Sequence, residues 1–196
     1  MKYTRIPANT FKEIQLNAGI LCKNFTPSSG EVEDIIGATK GGWTFEGTPS
    51  YSDFGNDVDN APDNMAEMKK LTSWAASMSG TFISINADTI KSLLGAADVS
   101  TIATAISKIV PRNDISMSDF TDLWWVGDYS DKNGSTNGGF IAIHLMNTLS
   151  TGGFQLKSSD ESKGEFAATF TAHYSMSAQD TVPFELYLKA GTDEAA

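Results

Sequence analysis

The chain has 196 residues, with 14 Lys and Arg against 24 Asp and Glu, a formal net charge of −10. One cysteine, Cys22, excludes an intrachain disulfide framework and a multi-cysteine zinc site. The acidic balance argues against tight phosphate-backbone binding, which needs Lys and Arg to displace counterions. No apolar run reaches the roughly 18 residues that span a bilayer as a helix. A compact chain of this mass exposes about 9,000 Å² and buries about 70% of its unfolded surface, enough for one domain with a real core. The N-terminal MKYTRIPANTFKEIQL carries no apolar h-region, so a soluble protein made in the cytoplasm is the default expectation.

Serine (21), threonine (19) and glycine (17) are abundant and only 19% of residues are charged. That profile favours strands and turns over long surface helices. In chain order, Met1–Lys12 reads as an arm, with Ile6-Pro7 and Phe11 ahead of the first strand. Ile14, Leu16, Ala18, Ile20 and Cys22 alternate with polar residues and read as a half-buried strand. A strand is expected over Trp43–Tyr51. The polar stretch Ser52–Glu67 follows, too long for a tight hairpin and carrying Asp53, Phe54, Asp57, Asp59, Asp63 and Glu67. Loops of that length are functional or disordered. Asp57, Asp59 and Asp63 could hold a cation weakly, but a solvated acidic loop is the simpler reading.

Leu71–Ile85 is the next strand. Ile90, Leu93, Leu94 and Ala97 fall at helical spacing, so a helix is expected near 87–95, capped by Asn86 or Asp88 and ended by Gly95. Residues 99–110 fit either a helix capped by Asp98 or a strand opening at Ile106. Leu123–Tyr129 and Phe140–Met146 flank Asn133-Gly134, a two-residue hairpin signal. Phe140–Met146 is apolar throughout, as a strand covered on both faces is. Phe166, Ala168, Phe170, Ala172 and Tyr174 alternate, as do Val182, Phe184, Leu186 and Leu188. The tail 190–196 reads as frayed. The expected class is mainly β: an antiparallel sandwich or barrel of about seven or eight strands with one short flanking helix. The division is an arm over 1–12, a single domain over 13–189 with the loop 52–67, and the tail.

Catalytic sets are sought without success. The two histidines, His144 and His173, lie on strands, and no G-x-S-x-G surrounds a serine. Each histidine is expected to hydrogen-bond locally. Glu46 near Trp43, or Asp122 and Asp128 around Trp124-Trp125, could form a glycosidase pair. The run Asp128–Gly134 looks calcium-like but places Tyr129 and Phe140 where the loop's first and last ligands belong. No Gly-rich phosphate cradle precedes a helix. With Arg5 and Arg112 the only arginines, no platform for single-stranded nucleic acid is indicated. No cofactor or metal is expected. A binding or structural protein remains, not an enzyme.

Five stretches resemble the major tail tube protein of tailed bacteriophages, of the long non-contractile type and related prophages. They are IPANTFKEIQLNAGIL (6–21), GATKGGWTFEGTPSYSDFGND (37–57), PRNDISMSDFTDLWWVGDYSD (111–131), FIAIHLMNTLSTGGFQL (140–156) and TFTAHYSMSAQDTVPFELY (169–187). They run nearly the whole chain in order, and residues 97–110 match nothing in the family pattern. The resemblance implies a β-sandwich flanked by a helix, in hexameric rings stacked into a tube through which double-stranded DNA passes. It implies contacts with further copies and with tail tip, tape-measure and terminator proteins, a place in the virion tail, and no membrane. It places an inter-ring loop at Ser52–Glu67 and a neighbour-contacting arm at Met1–Lys12. The contact candidates are therefore Phe11, Asp53, Phe54, Asp57, Asp59 and Asp63. Six copies of a −10 chain carry −60 formal charges per ring, and an acidic wall would repel DNA rather than hold it. The alternatives are a contractile-tail inner tube, a tail-terminator ring, and a carbohydrate-binding sandwich using Trp43, Trp124 or Trp125. A cell-wall hydrolase using Glu46 or Asp128 is the enzymatic rival.

Overall fold

Alternating chains of this kind form antiparallel ladders, and two sheets result. A computed structural model describes residues 5–56, 58–132 and 136–192. The first sheet runs β2 (Glu31–Ile35), β1 (Ile20–Thr26), β7 (Thr121–Tyr129), β8 (Gly139–Ser150) and β11 (Phe184–Lys189). The second runs β3 (Thr39–Asp53), β4 (Lys69–Phe82) and β10 (Glu165–Thr171), with the short β9 (Gln155–Lys157) beside β10. Every pairing is antiparallel. Strand β8 joins the sheets. Its first two-thirds pair with β7 and β11, and Leu149 and Ser150 pair with β10. The mainly β class with one short flanking helix is what the structure has.

The core lies between the sheets. Leu21, Leu123, Trp125, Ile143 and Leu145 face Ala76, Met78, Phe82, Ala168 and Phe170. A second cluster of Cys22, Phe25, Trp124 and Ala142 covers the other face of the first sheet, with Phe140 and Tyr187 packed on it. Both faces of Phe140–Met146 are therefore covered, as its uniform apolarity predicts. Burial, with Asp34 nearby, pushes the Cys22 thiol up to about 11. At that value it stays a neutral, inert core group.

Helix α1 (Ala87–Leu94) closes one end of the sandwich. The Asn86 side chain accepts the Thr89 N–H at 2.8 Å, and Gly95 ends the helix at φ 76°. Leu93 is fully buried. The Thr89 hydroxyl donates to the Ile36 carbonyl (3.1 Å) and the Ser150 hydroxyl to the Leu93 carbonyl (2.8 Å), tying the helix to both sheets.

Four sequence expectations change. The strand drawn from Ile14 begins only at Ile20. Gly19 adopts φ +67°, and a Cβ there would lie 2.5 Å from the Trp125 indole, so the chain turns at that point. Ile14 and Leu16 are exposed instead. Leu186 and Leu188 are exposed too: β11 is an edge strand paired only with β8, and Phe184 and Tyr187 do the packing. Tyr174 lies past the end of β10 and is exposed. Residues 97–111 form no helix. They make a separate hairpin of β5 (Ala97–Ala103) and β6 (Ile106–Pro111). The Asn133-Gly134 turn lies outside the described residues, but β7 and β8 pair as the hairpin requires.

Candidate assembly surface

Solvent-accessible surface totals 13056 Å², about 4,000 Å² more than a compact chain of this mass exposes. A standard protein interface takes about 800 Å² per partner, so the excess is worth several interfaces. Three features expose groups that another surface could cover.

The first is a ribbon. Residues Ser77–Phe82 of β4 pair with β3 on one side and β10 on the other. Residues Lys69–Ala75 pair with β3 alone; Trp74 still packs on Phe184 and donates its N–H to the Tyr174 hydroxyl (2.8 Å), and Lys69–Ser73 run on from there as a two-stranded ribbon with β3. The opposite edge of β3 has no partner strand among the described residues. Tyr51 sits across from Leu71, and both are exposed. Local bonds shape the tip. Asp53 accepts the Gly55 N–H at 2.9 Å and lies 3.2 Å from the Lys69 ammonium. Those two contacts, the backbone one foremost, hold the Asp53 carboxyl below the usual carboxylate range. Phe54 donates its N–H to the Met68 carbonyl (3.0 Å), and Lys69 bonds Asn64 (2.8 Å). With the backbone satisfied this way, Phe54 (60% exposed) and Val58 (50%) point to solvent. Asp59 and Asp63 are exposed nearby. Asp57 lies outside the described residues.

The second is the outward face of the second sheet. Cross-strand pairing puts Thr44, Ser79 and Thr169 in one row and Glu46, Ser77 and Thr171 in the next, with Ser50 beside Ser73 farther out. Within segments 44–50, 73–81 and 167–171 the only ionisable side chain is Glu46. Over these rows the face is hydroxyl-rich and carries one charge; at and beyond Thr81 the same face carries Lys40, paired with Glu165, and Lys157. The inward face of the same strands carries Trp43, Phe45, Met78 and Phe170.

The third is the arm. Leu16 donates its N–H to the Asp128 carbonyl (3.1 Å) and Ser130 to the Ile14 carbonyl (2.9 Å), so 14–16 run beside the end of β7. Ahead of that anchor, Phe11 lies in a 3₁₀ turn (Thr10–Lys12) and is 65% exposed. Residues 1–4 lie outside the described residues. An open groove of about 690 Å³ on the outer face of the first sheet is lined by Ile20, Phe25, Val32, Val126 and Phe140.

Of the sequence candidates, Asp53 and Phe54 share the ribbon tip with Asp59 and Asp63. Phe11 is on the arm, near β7, and not with them. Sequence reading missed the Tyr51–Leu71 pair and the aliphatics of β5–β6. A register shift between Ser50 and Tyr51 hides the former, and in 99–110 the helical spacing of Val99, Ile102, Ile106 and Ile109 masks an alternating hairpin.

Catalytic arrangements gain nothing from the geometry. His144 stacks on Trp124 (centroids 4.0 Å, planes 6° apart), with Nε2 3.2 Å from Asp122 and Nδ1 3.6 Å from Glu185. His173 Nδ1 is 3.1 Å from the Asn147 carbonyl. Asp122 also accepts the Asn147 N–H, and Asp128 is held by Asn17. Asp122 and Asp128 are six residues apart on one strand, about 20 Å, beyond the roughly 5–9.5 Å of a glycosidase pair. The indoles offered for sugar stacking are occupied by protein. Trp43 packs on Phe82, Trp124 lies under His144, and Trp125 is in the core. Among the described residues no three His, Cys, Asp or Glu side chains cluster as a metal site, and no helix is long and apolar enough to cross a membrane.

No protein-family model matches the chain, and no curated protein matches it. Among solved structures it is similar to a chain of the tail of an empty GTA particle, computed with helical refinement in C6 symmetry. The identity is 10%, the TM-score 0.40, and the match covers 81% of this chain and 92% of that one. At that identity and TM-score the likeness assigns no function.

Proposed function

We propose that this chain is a structural subunit of a phage-type tail tube, assembling with copies of itself into stacked rings around a conduit for double-stranded DNA. The observation that carries the reading is the β3–β4–β10 sheet. It has an open edge, a ribbon running past the sandwich, and one face covered with hydroxyls. An open edge of 15 residues is a liability in a monomer and an asset in a closed ring, where every strand finds a partner. The sequence resemblance over five ordered stretches supports the same reading, as does the excess surface.

The hydroxyl face suits the lumen. Its central rows offer water-like groups and no Lys or Arg to hold phosphates, and of the lysines at its end Lys40 is engaged by Glu165. One Glu46 per copy adds weak repulsion, and most of the chain's acids lie elsewhere. In this reading 13–189 is the tube body, 52–67 the contact to the next ring and 1–12 a neighbour-binding arm. Tail tip, tape-measure and terminator proteins are its partners at the tube ends, and the virion tail is its place. Electron microscopy of the purified protein, and of virions labelled on this chain, tests the proposal. Hollow tubes of constant diameter are expected. Labelling of the capsid shell or tail tip with an unlabelled tube would sink it.

A further inference from the structure

The β5–β6 hairpin has no assigned role, and its covering is incomplete. Pairing of Val99 with Ile109 and Ala97 with Pro111 defines one face, which leans on the body. Ala97 is fully buried and Ile109 partly. The other face carries Ile102 (66% exposed), Ile106 (55%) and Val110 (42%) around Lys108, with Ser100 opposite Lys108 and Asp98 opposite Val110. Lys108 has no carboxylate within ion-pair distance among the described residues. The root is firmly held. Arg112 donates its N–H to the Ala96 carbonyl (2.9 Å), and its guanidinium grips Asp119 at 2.5 and 2.7 Å. Asp119 in turn accepts the Ser116 N–H at 2.8 Å. A two-stranded ribbon is marginal in water by itself, and this one is anchored with an apolar face turned outward.

Charge and position say what covers it. The hairpin's ionisable residues are Asp98, which the Arg112 guanidinium pairs at 3.2 Å, and Lys108, on a chain of net charge −10. From Asp53 to Glu67 there are five acids and no Lys or Arg, with Phe54 and Val58 exposed among them. The two elements therefore complement each other: acidic with apolar anchors, basic with an apolar floor. They sit at opposite ends of one strand. The tip joins the Lys69 end of β4, and α1 and β5 follow its Phe82 end. Fourteen residues of strand separate them by about 45 Å, so one copy cannot satisfy itself through these surfaces. Two copies in line can, and a head-to-tail contact of unlike surfaces repeats without limit unless the geometry closes it.

We propose that the Ile102–Lys108–Val110 face of β5–β6 receives the β3–β4 tip of a second copy, Phe54 and Val58 seating on the aliphatics and Asp59 or Asp63 meeting Lys108. This deepens the tube reading by naming the acceptor between rings. Mixing a Val58→Cys variant with an Ile106→Cys variant under mild oxidation tests it, since Cys22 is fully buried and does not compete. A disulfide-linked heterodimer on a gel is expected, with neither variant alone linking comparably. Lys108→Glu should weaken association about tenfold or more, and adding Asp59→Lys should restore it, with circular dichroism showing folded monomer throughout. Ile106→Ser, which leaves every charge in place, should weaken association as well. Tubes without the heterodimer, and indifferent to Lys108→Glu and Ile106→Ser, overturn the docking and leave the tube standing. A heterodimer with no tubes sustains the docking and overturns the tube.

Discussion

One strand passes through two environments. In β4, Ser77–Phe82 lies inside the sandwich, with neighbours on both edges and Met78 and Phe82 almost wholly buried. Lys69–Ala75 has one neighbouring strand; Trp74 still packs on Phe184, but Leu71 is 45% exposed. Past the two lysines that open it, the outer half (KKLTSWA) mixes small polar and apolar residues as the inner half (SMSGTF) does. What differs is whether a second sheet lies over the strand. Stability in the inner half comes from burial, about 25 cal/mol per Å² of apolar surface removed from water. The outer half retains its ladder bonds but little of that gain, so its exposed apolar groups remain available to another copy.

The largest test of this contrast is a pair of truncations. Met78→Ala should cost about 2–5 kcal/mol in urea unfolding, from lost burial plus the cavity left. Leu71→Ala should stay within about 0.5 kcal/mol. Equal costs would erase the distinction between the halves. Next, Gly80→Ala should destabilise by about 1–3 kcal/mol. A Cβ there would lie 2.6 Å from the Trp43 ring, which lies across this glycine from β3. Thermal unfolding reads it, and an unchanged Tm would show that the indole moves freely.

Deleting Asn56–Asn64 should shift Tm little, because the loop contributes no residue to either core cluster. Tubes should be lost while folded monomer persists, by electron microscopy and sedimentation. Normal tube length after the deletion would remove the ribbon tip from the contact. The smallest effect concerns pH. The Asp53 carboxyl is held low by the Gly55 N–H and then Lys69. Its folded value lies below the unfolded one. The contribution is therefore full above the unfolded value and fades as pH falls through the folded one. Tip amides of Phe54 and Gly55 should lose protection, measured against their intrinsic exchange rate at each pH, below the usual carboxylate range, while amides of the inner half stay protected. Asp53→Asn should show that loss already at neutral pH.

Much of this architecture was legible from alternation. Phe166, Ala168 and Phe170 sit on the strand face predicted for them, and Phe140–Met146 is covered on both sides. Asn86 and Gly95 bound the helix because a cap's oxygen and a left-handed glycine are local requirements. The site was legible only in part. Asp53, Phe54, Asp59 and Asp63 were placed in a contact loop, but their assembly into a projecting ribbon was not foreseen. Leu186 and Leu188 alternate as well as Phe170 does and remain exposed. Trp43, Trp124 and Trp125 could have been platforms and are packing.

The amino-acid sequence by itself determined which residues share a face, where the helix starts and stops, and how charge is divided between the acidic 53–67 and the basic, apolar 99–111. These are properties of neighbours along the chain, set by backbone period and side-chain type. Only the tertiary structure decided which faces find cover and which strand edges stay open. Cover is supplied by segments distant in sequence, as β10 supplies it to one half of β4 and not to the other.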